Sequence, residues 1–363
     1  MSGISVLHID TGREFRGGQR QVLMMTRELK RLDIAQTIAI PDDSELDRRI
    51  DYIPKIKLAS KSLLRKILTG KISKTAREKD VNIIHAHDSE AHTIGLRLKS
   101  SFPNLKLIVT RRVIFPPSGW LSRKFKYSDK VDKFIAVSNA VAVGLVKVGV
   151  DKDRIEVINS SLYINDIKNN DSDWLVPEQI REKCDKFIVT AGALTGEKDF
   201  FTAIKAVSEA EKRIPGIGLL ILGEGPERSK LEKYVAESNA KNIFLMGHIE
   251  PMAPVFKKCE LFLLTSKSEG LNNSAVEAEA CGLPLVVSNV GGLPEIVSNG
   301  VNGLLCDAGD YKSFADAIVK ILSDELIRIR MHMKSLEISD KFDIVENVQK
   351  ISDMYKRVLA ENN

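Results

Sequence analysis

The segment from Ser266 to Pro284 concentrates the side chains best suited to chemistry: Glu269, Gly270, Leu271, Asn272, Asn273 and Ser274, then Glu277, Glu279 and a closing Gly282. Glu269 follows the apolar run Leu261–Thr265, Gly270 turns the chain, and Asn273 or Ser274 is a good N-cap for a helix ending at Gly282. The opening turn of such a helix aims backbone N–H groups at an anion. Ionised carboxylates accept paired hydrogen bonds from vicinal hydroxyls, as in ribose or a hexose. Glu269 and Glu277 can thus flank one hydroxylated ligand from two sides. Taken alone, Glu277 reads equally as a solvated helix residue in a favourable dipole.

The first strand-to-helix turn, Asp10 to Gln19, carries adjacent Gly17 and Gly18, which let the backbone approach a ligand closely. A plain tight turn is the competing reading. Gly12 and Gly17 have the spacing of a triphosphate-binding loop, but Gly18 and Gln19 stand where Lys and Ser or Thr are required, which disfavours a nucleotide triphosphatase. Gly223-Glu-Gly225-Pro226 ends another strand; Arg228 occupies the place of the third glycine of a dinucleotide fingerprint, which disfavours a dehydrogenase. That turn reads as a helix cap with Pro in the first turn. In Ile84-His85-Ala86-His87-Asp88 the two histidines alternate onto one face, and His87 lies at the carboxyl end of a strand, where parallel sheets bind ligands. A structural hydrogen bond is the alternative for it.

The elements that must position these residues alternate. Strands are expected at Ile4–Ile9, Ala35–Ile40, Val81–Ala86, Leu105–Thr110 and Lys133–Val137, then at Phe187–Ala191, Gly218–Leu222, Ile243–Met246, Leu261–Thr265 and Leu285–Ser288, with helical patterns between them. This rhythm over 363 residues predicts an α/β chain of two doubly wound domains. Residues 159–182 lack apolar periodicity and mark the boundary. Cys184, Cys259, Cys281 and Cys306 form no Cys-x-x-Cys pair, against a zinc site or disulfide framework. No basic leader followed by an apolar run opens the sequence, and no apolar run reaches the roughly 18 residues of a spanning helix. The chain reads as cytoplasmic.

Gly192-Ala-Leu-Thr-Gly-Glu-Lys198, Leu220-Ile-Leu-Gly223-Glu-Gly225-Pro226, Phe244-Leu-Met-Gly247, the two-glutamate segment and Gly291-Gly-Leu-Pro294-Glu295 through Gly303 follow one another in an ordered set. That set resembles the family 4 glycosyltransferases, retaining, nucleotide-sugar-dependent enzymes of the GT-B fold, in which two Rossmann-like domains face each other across a cleft. Gly17-Gly18 and Ile135-Ala-Val-Ser138 match the family's first domain. The resemblance implies an acceptor-binding domain over 1–164, a nucleotide-sugar-binding domain over 165–343 and a C-terminal helix over 344–363 that can cross back to the first domain. Glu277 would hold the ribose hydroxyls, and Glu269 the hydroxyls of the transferred sugar. Lys198 would neutralise the diphosphate, helped by the backbone from Gly270 through Leu271, Asn272 and Asn273 and by Gly17 and Gly18. The base would lie against backbone near Gly247 to Ile249. Glu269 and Lys198 are the residues on which catalysis would depend, through same-face attack in which the leaving diphosphate helps to deprotonate the acceptor. No metal or other cofactor is expected, and a UDP-sugar is expected over a GDP-sugar. The acceptor would be a lipid-linked, lipopolysaccharide-type or other glycan of the cell envelope.

The chain departs from the family pattern where Ala193 replaces an Arg, where Arg111 and Arg112 replace an active-site His, and where Ser160-Ser161 replaces an Asn-Gly turn. His87, Arg111 and Arg112 are therefore the expected acceptor or phosphate contacts. Two other functions fit the fold. A sugar-nucleotide epimerase needs acid and base carboxylates in both domains, and the first domain offers no clear one. A noncatalytic sugar-nucleotide-binding subunit would tolerate Ala193.

The net charge of +5 hides an asymmetry: residues 1–164 hold 30 Lys and Arg against 18 Asp and Glu, the remainder 24 against 31. A basic half suits an anionic partner. Charge alone admits nucleic acid or a membrane surface; the resemblance removes nucleic acid. Lys61, Arg65, Lys66, Lys71, Lys74, Arg77 and Lys79 interleave with Leu63, Leu64, Ile67, Leu68 and Ile72 in a basic amphipathic helix. With Arg123, Lys124 and Lys126, it is expected to dock on the inner face of an anionic membrane. The alternative packs the apolar stripe on the sheet and leaves the charges to water.

Overall fold

Strands that are apolar on both faces must be covered by helices on both sides, and such strands build two all-parallel sheets in this protein. The computed structural model describes residues 3–58, 65–114, 126–238 and 240–361, with the side chains of 65–69 and 71 outside that description. The chain divides into two units, residues 1–161 with 344–363, and residues 162–343.

The first unit holds β1 (Ser5–Ile9), β2 (Ala35–Pro41), β3 (Lys55–Leu58), β4 (Ile83–Ala86), β5 (Lys106–Arg111), β6 (Lys133–Ala136) and β7 (Ile155–Val157) in the order β3-β2-β1-β4-β5-β6-β7. The strand order reverses between β1 and β4, and there the loops that follow diverge and open a crevice. Helix Gly17–Arg31 packs Val22 and Leu23 onto Ile38 and Ile40 of β2. Helix Ile344–Ala360 completes this unit and buries Tyr355, whose hydroxyl meets His85 Nδ1 at 2.6 Å.

The second unit holds β8 (Lys186–Ala191), β9 (Ile217–Leu222), β10 (Ile243–Gly247), β11 (Leu261–Leu264), β12 (Leu285–Ser288) and β13 (Gly303–Cys306) in the order β10-β9-β8-β11-β12-β13. Its reversal lies between β8 and β11. Helices Phe200–Glu211 and Tyr311–Leu322 supply Phe200, Ile204, Phe314 and Ile318 to a core with Leu219, Ile221 and Leu263. Residues 162 and 343, the two ends of this unit, pair directly: Leu162 N–H donates to Phe342 O at 3.0 Å.

Three strands escape the sequence reading, and all three are sheet edges. β3 alternates Lys55 and Lys57 with Ile56 and Leu58, β7 is three residues with a central Glu156, and β13 opens on Gly303. An edge needs only one hydrogen-bonding side and takes polar residues readily. Of the basic amphipathic segment, helix Arg65–Glu78 forms; residues 61–64, with Arg123 and Lys124, lie outside the described residues. Ile72 and Ala76 are buried, while Lys74 is exposed beside Glu78. Lys126 is not a free surface charge, since its Nζ donates to Ser89 O at 2.8 Å.

Helix Asn273–Ala280 packs against helix Ile164–Lys168 and the turn Ser339–Phe342, which adjoin the two ends of the unit. Glu279 on this helix is fully buried; Asn302 Nδ2 donates to its Oε1 at 2.7 Å and no described residue meets its Oε2. Burial pushes its carboxyl from 4.5 up to about 8, against the opposing pull of Lys341, Asn302 and Lys168. The folded state therefore keeps a proton that the unfolded chain releases, and this group lowers stability as pH rises from about 4.5 through 8. Glu279→Gln preserves the volume and the acceptor for Asn302 but cannot ionise. Its Tm should gain on the wild type progressively between pH 5 and 8; a constant difference across that range in thermal melts would contradict the assignment.

Candidate active site

In the second unit the loops after β8 and β11 leave adjacent strands at the reversal of strand order. Lys198 ends the first loop, and Asp199 after it adopts a left-handed φ of 49°, a conformation Asp tolerates better than most residues. Thr265 Oγ1 fastens this turn by donating to Asp199 O at 2.8 Å, and Lys267 N–H donates to Glu197 O at 2.8 Å. The second loop is thereby tied to the first. Glu269 Oε1 receives Ser266 Oγ at 2.7 Å, Asn272 Nδ2 at 3.1 Å and the Lys198 ammonium. Asn272 also accepts Ala275 N–H on Oδ1 at 2.8 Å and caps helix Asn273–Ala280. The cap is thus Asn272, one residue before the expected Asn273 and two before Ser274. Its amide serves the helix and Glu269 together. Glu277 is buried on the same helix.

The loops after β8, β9 and β10 are stitched into one platform. Gly192 N–H donates to Leu222 O at 3.0 Å, Leu194 N–H to Glu224 O at 3.0 Å, and Gly223 N–H to Gly247 O at 2.7 Å. A Cβ at Gly225 would come within 2.6 Å of the Leu194 backbone. This corrects the reading of Gly223 to Pro226 as a helix cap: helix Arg228–Glu237 begins after Pro226, and the glycines admit the neighbouring loop. Ile249, half-buried, follows β10 at the edge of this platform.

The first unit assembles a different set at its own reversal. Gly17 opens helix Gly17–Arg31, and Gly18 faces the Arg112 side chain, where a Cβ at Gly18 would lie 3.7 Å from Arg112 Cδ. Arg112 Nη1 donates to His87 O at 2.5 Å, and its buried Nε meets no described partner. Arg111 leaves the sheet on the other side and lies near Lys126 and His92, so the two arginines do not share a site. Asp10 and Asp88 stand here, two carboxylates that sequence reasoning passed over. Asp10 accepts Gly12 N–H at 2.9 Å and Gln19 Nε2 at 3.1 Å; Asp88 accepts Thr11 Oγ1 at 2.8 Å and caps helix Ser89–Ser101. Burial and the charge of Asp88 push the Asp10 carboxyl above its ordinary value.

His87 belongs to a buried cluster with His8 and His85. His8 Nε2 meets Gln36 Oε1 and His8 Nδ1 meets His87 Nε2, each at 3.1 Å. Gln36 Nε2 donates to Thr26 O at 3.0 Å, so its oxygen must accept from His8 and the tautomers follow. His87 Nδ1 is left buried without a described partner. Burial lowers the His8 pKa to about 3 and holds His85 and His87 well below the usual imidazole range, so all three are neutral. The structure gives His87 a structural hydrogen bond to His8.

A family model described as glycosyltransferase family 4 matches residues 15–161, and one described as glycosyl transferases group 1 matches residues 173–338. The protein belongs to the family 4 glycosyltransferases. The lipopolysaccharide core biosynthesis glycosyltransferase LpsE of Rhizobium meliloti is 24% identical over 367 residues, covering 98% of this chain and 99% of that one. A UDP-Gal:alpha-D-GlcNAc-diphosphoundecaprenol alpha-1,3-galactosyltransferase of Escherichia coli is 26% identical over 303 residues, covering 78% and 77%. Among solved structures, Anabaena HepE in complex with UDP-glucose superposes with a TM-score of 0.83 at 19% identity, covering 98% of this chain and 100% of HepE, which establishes the GT-B fold. In this glycosyltransferase Lys198, Glu269, Gly270 and Asn272 lie together in the second unit, whereas Gly17, Gly18, His87 and Arg112 lie together in the first. Ser266 was missed because an isolated serine before a charged residue carries no pattern.

The platform makes Gly225 the test of the loop geometry. Gly225→Ala should cost about 1–3 kcal/mol in chemical denaturation, the range for overpacking a closely packed site. Wild-type stability in this variant would mean that the Leu194 backbone is free to retreat.

Proposed function

We propose that this glycosyltransferase binds a UDP-sugar in its second unit and transfers the sugar, with retention of anomeric configuration, to a glycan or lipid-linked acceptor bound by the first. The observation that carries the reading is the meeting of Lys198 and Glu269 where the strand order of the second sheet reverses, the place at which α/β sheets take ligands. Glu277, on the helix capped beside them, takes the ribose hydroxyls; Glu269 takes those of the sugar. The backbone around Gly247 to Ile249 faces the base. UDP-glucose in HepE and the UDP-galactose of the Escherichia coli relative support uridine as that base. LpsE and the diphosphoundecaprenol acceptor in the latter's name support a cell-envelope glycan acceptor.

The acceptor hydroxyl oxygen forms its bond to the anomeric carbon on the face from which the diphosphate departs. The breaking C–O bond leaves its electron pair on the β-phosphate oxygen, and the hydroxyl proton passes to the departing diphosphate. Lys198 stabilises the charge that develops there, and backbone amides do the rest without a metal ion. In the first unit, Asp10 and Asp88 are committed to the backbone, Thr11 and Gln19, a poor state for the acid and base of an epimerase.

Calorimetry tests the assignment. Glu277→Ala should weaken free UDP and the UDP-sugar alike by about 1.5–3 kcal/mol, the worth of a hydrogen bond to a charged group. Lys198→Ala should weaken both and depress turnover. Unchanged affinity in Glu277→Ala removes that residue from the site.

The basic first unit also fits docking on an anionic membrane, with helix Arg65–Glu78 as the contact. No helix among the described residues is long and apolar enough to cross a membrane. Each basic residue near an anionic surface contributes about 1 kcal/mol, screened by salt. Sedimentation with anionic but not neutral vesicles is expected, lost at high salt and weakened by Lys66→Glu with Lys74→Glu. Protein left in the supernatant with anionic vesicles at low salt argues for a soluble acceptor.

A further inference from the structure

Glu269 is buried, and its three donors all meet the same oxygen. Lys198, Ser266 and Asn272 converge on Oε1, while Oε2 carries none of them. The donors differ in how firmly they are held. Lys198 arrives on a long flexible stem. The Ser266 hydroxyl sits on a fully buried residue just beyond β11, and the Asn272 amide is pinned by its capping bond to Ala275. We infer that Ser266 and Asn272 are positioning residues that keep the Glu269 carboxylate hydrogen-bonded and oriented while Lys198 leaves it for the diphosphate. This rests on the donor reading proposed above.

Lys198 cannot neutralise a diphosphate and remain fully on Glu269. Had it been the only partner, its departure would strand a buried carboxylate, and that cost would oppose nucleotide binding. With two neutral donors still on Oε1, the carboxylate stays compensated and Oε2 is presented to a sugar hydroxyl. Nucleotide affinity then depends on Ser266 through Glu269, although the Ser266 hydroxyl is committed to the carboxylate. The dependence must vanish when Glu269 carries no charge, because Lys198 then has no pair to break.

A double-mutant cycle read by UDP calorimetry tests this with the full chain. Ser266→Ala should weaken UDP about tenfold, the scale of one hydrogen bond to a charged group, and Ser266→Thr should restore it. Glu269→Gln should bind UDP at least as tightly as the wild type. In the Glu269→Gln background Ser266→Ala should change nothing. An unchanged UDP affinity in Ser266→Ala, or an equal loss in both backgrounds, overturns the inference. Should Ser266→Ala fail to fold in thermal melts, Asn272→Ser, which keeps a capping oxygen and removes the amide donor, carries the same comparison. A wild type that binds no UDP overturns the donor reading, and the inference falls with it.

Discussion

A carboxylate withdrawn from water must be met by donors or give up its charge, and Glu269 is met by three. Each comes from a different piece of the second unit: Lys198 from the loop after β8, Ser266 from the end of β11, Asn272 from the cap of helix Asn273–Ala280. Moving any one of these pieces breaks a bond to the same oxygen. The Thr265 bond to Asp199, the Lys267 bond to Glu197 and the glycine-lined platform behind Leu194 serve to hold those pieces in register.

The two sheets share one topology rule and use it differently. In the second unit the reversal of strand order gathers an ammonium and a carboxylate that hold each other. In the first, Asp10 and Asp88 are consumed by Gly12, Gln19, Thr11 and a helix cap, and the three histidines are kept neutral by burial. Arg112 faces Gly18 of the Gly17-Gly18 turn, and its desolvation is offset in part by the His87 carbonyl.

The interior strands were legible because runs such as Leu261–Leu264 and Leu285–Ser288 must be buried on both faces. The edges β3, β7 and β13 were not, since one exposed side removes that requirement. Lys198, Glu269 and Glu277 stood out through motif order, and the meeting of Lys198 with Glu269 follows from the topology. What the sequence could not reveal depends on partners far along the chain. His85 is buried in part by Tyr355, 270 residues away, and Glu279 holds its proton because the elements at both ends of its unit bury it, against the pull of the Asn302 amide. Asn272 and Asn273 are equally good caps in isolation; the Glu269 carboxylate selects between them.

The return of helix Ile344–Ala360 to the first unit makes the second unit an insertion within the first. During synthesis, residues 1–161 must therefore wait with an incomplete core, His85 lacking its tyrosine and helix Gly17–Arg31 lacking its packing partner, until all of 162–343 has been translated. The second unit, continuous in the chain, can mature first. The order of assembly on the ribosome is thus the reverse of the order of the sequence, and an incomplete chain that has lost only the final helix would hold a finished second unit and an unfinished first one.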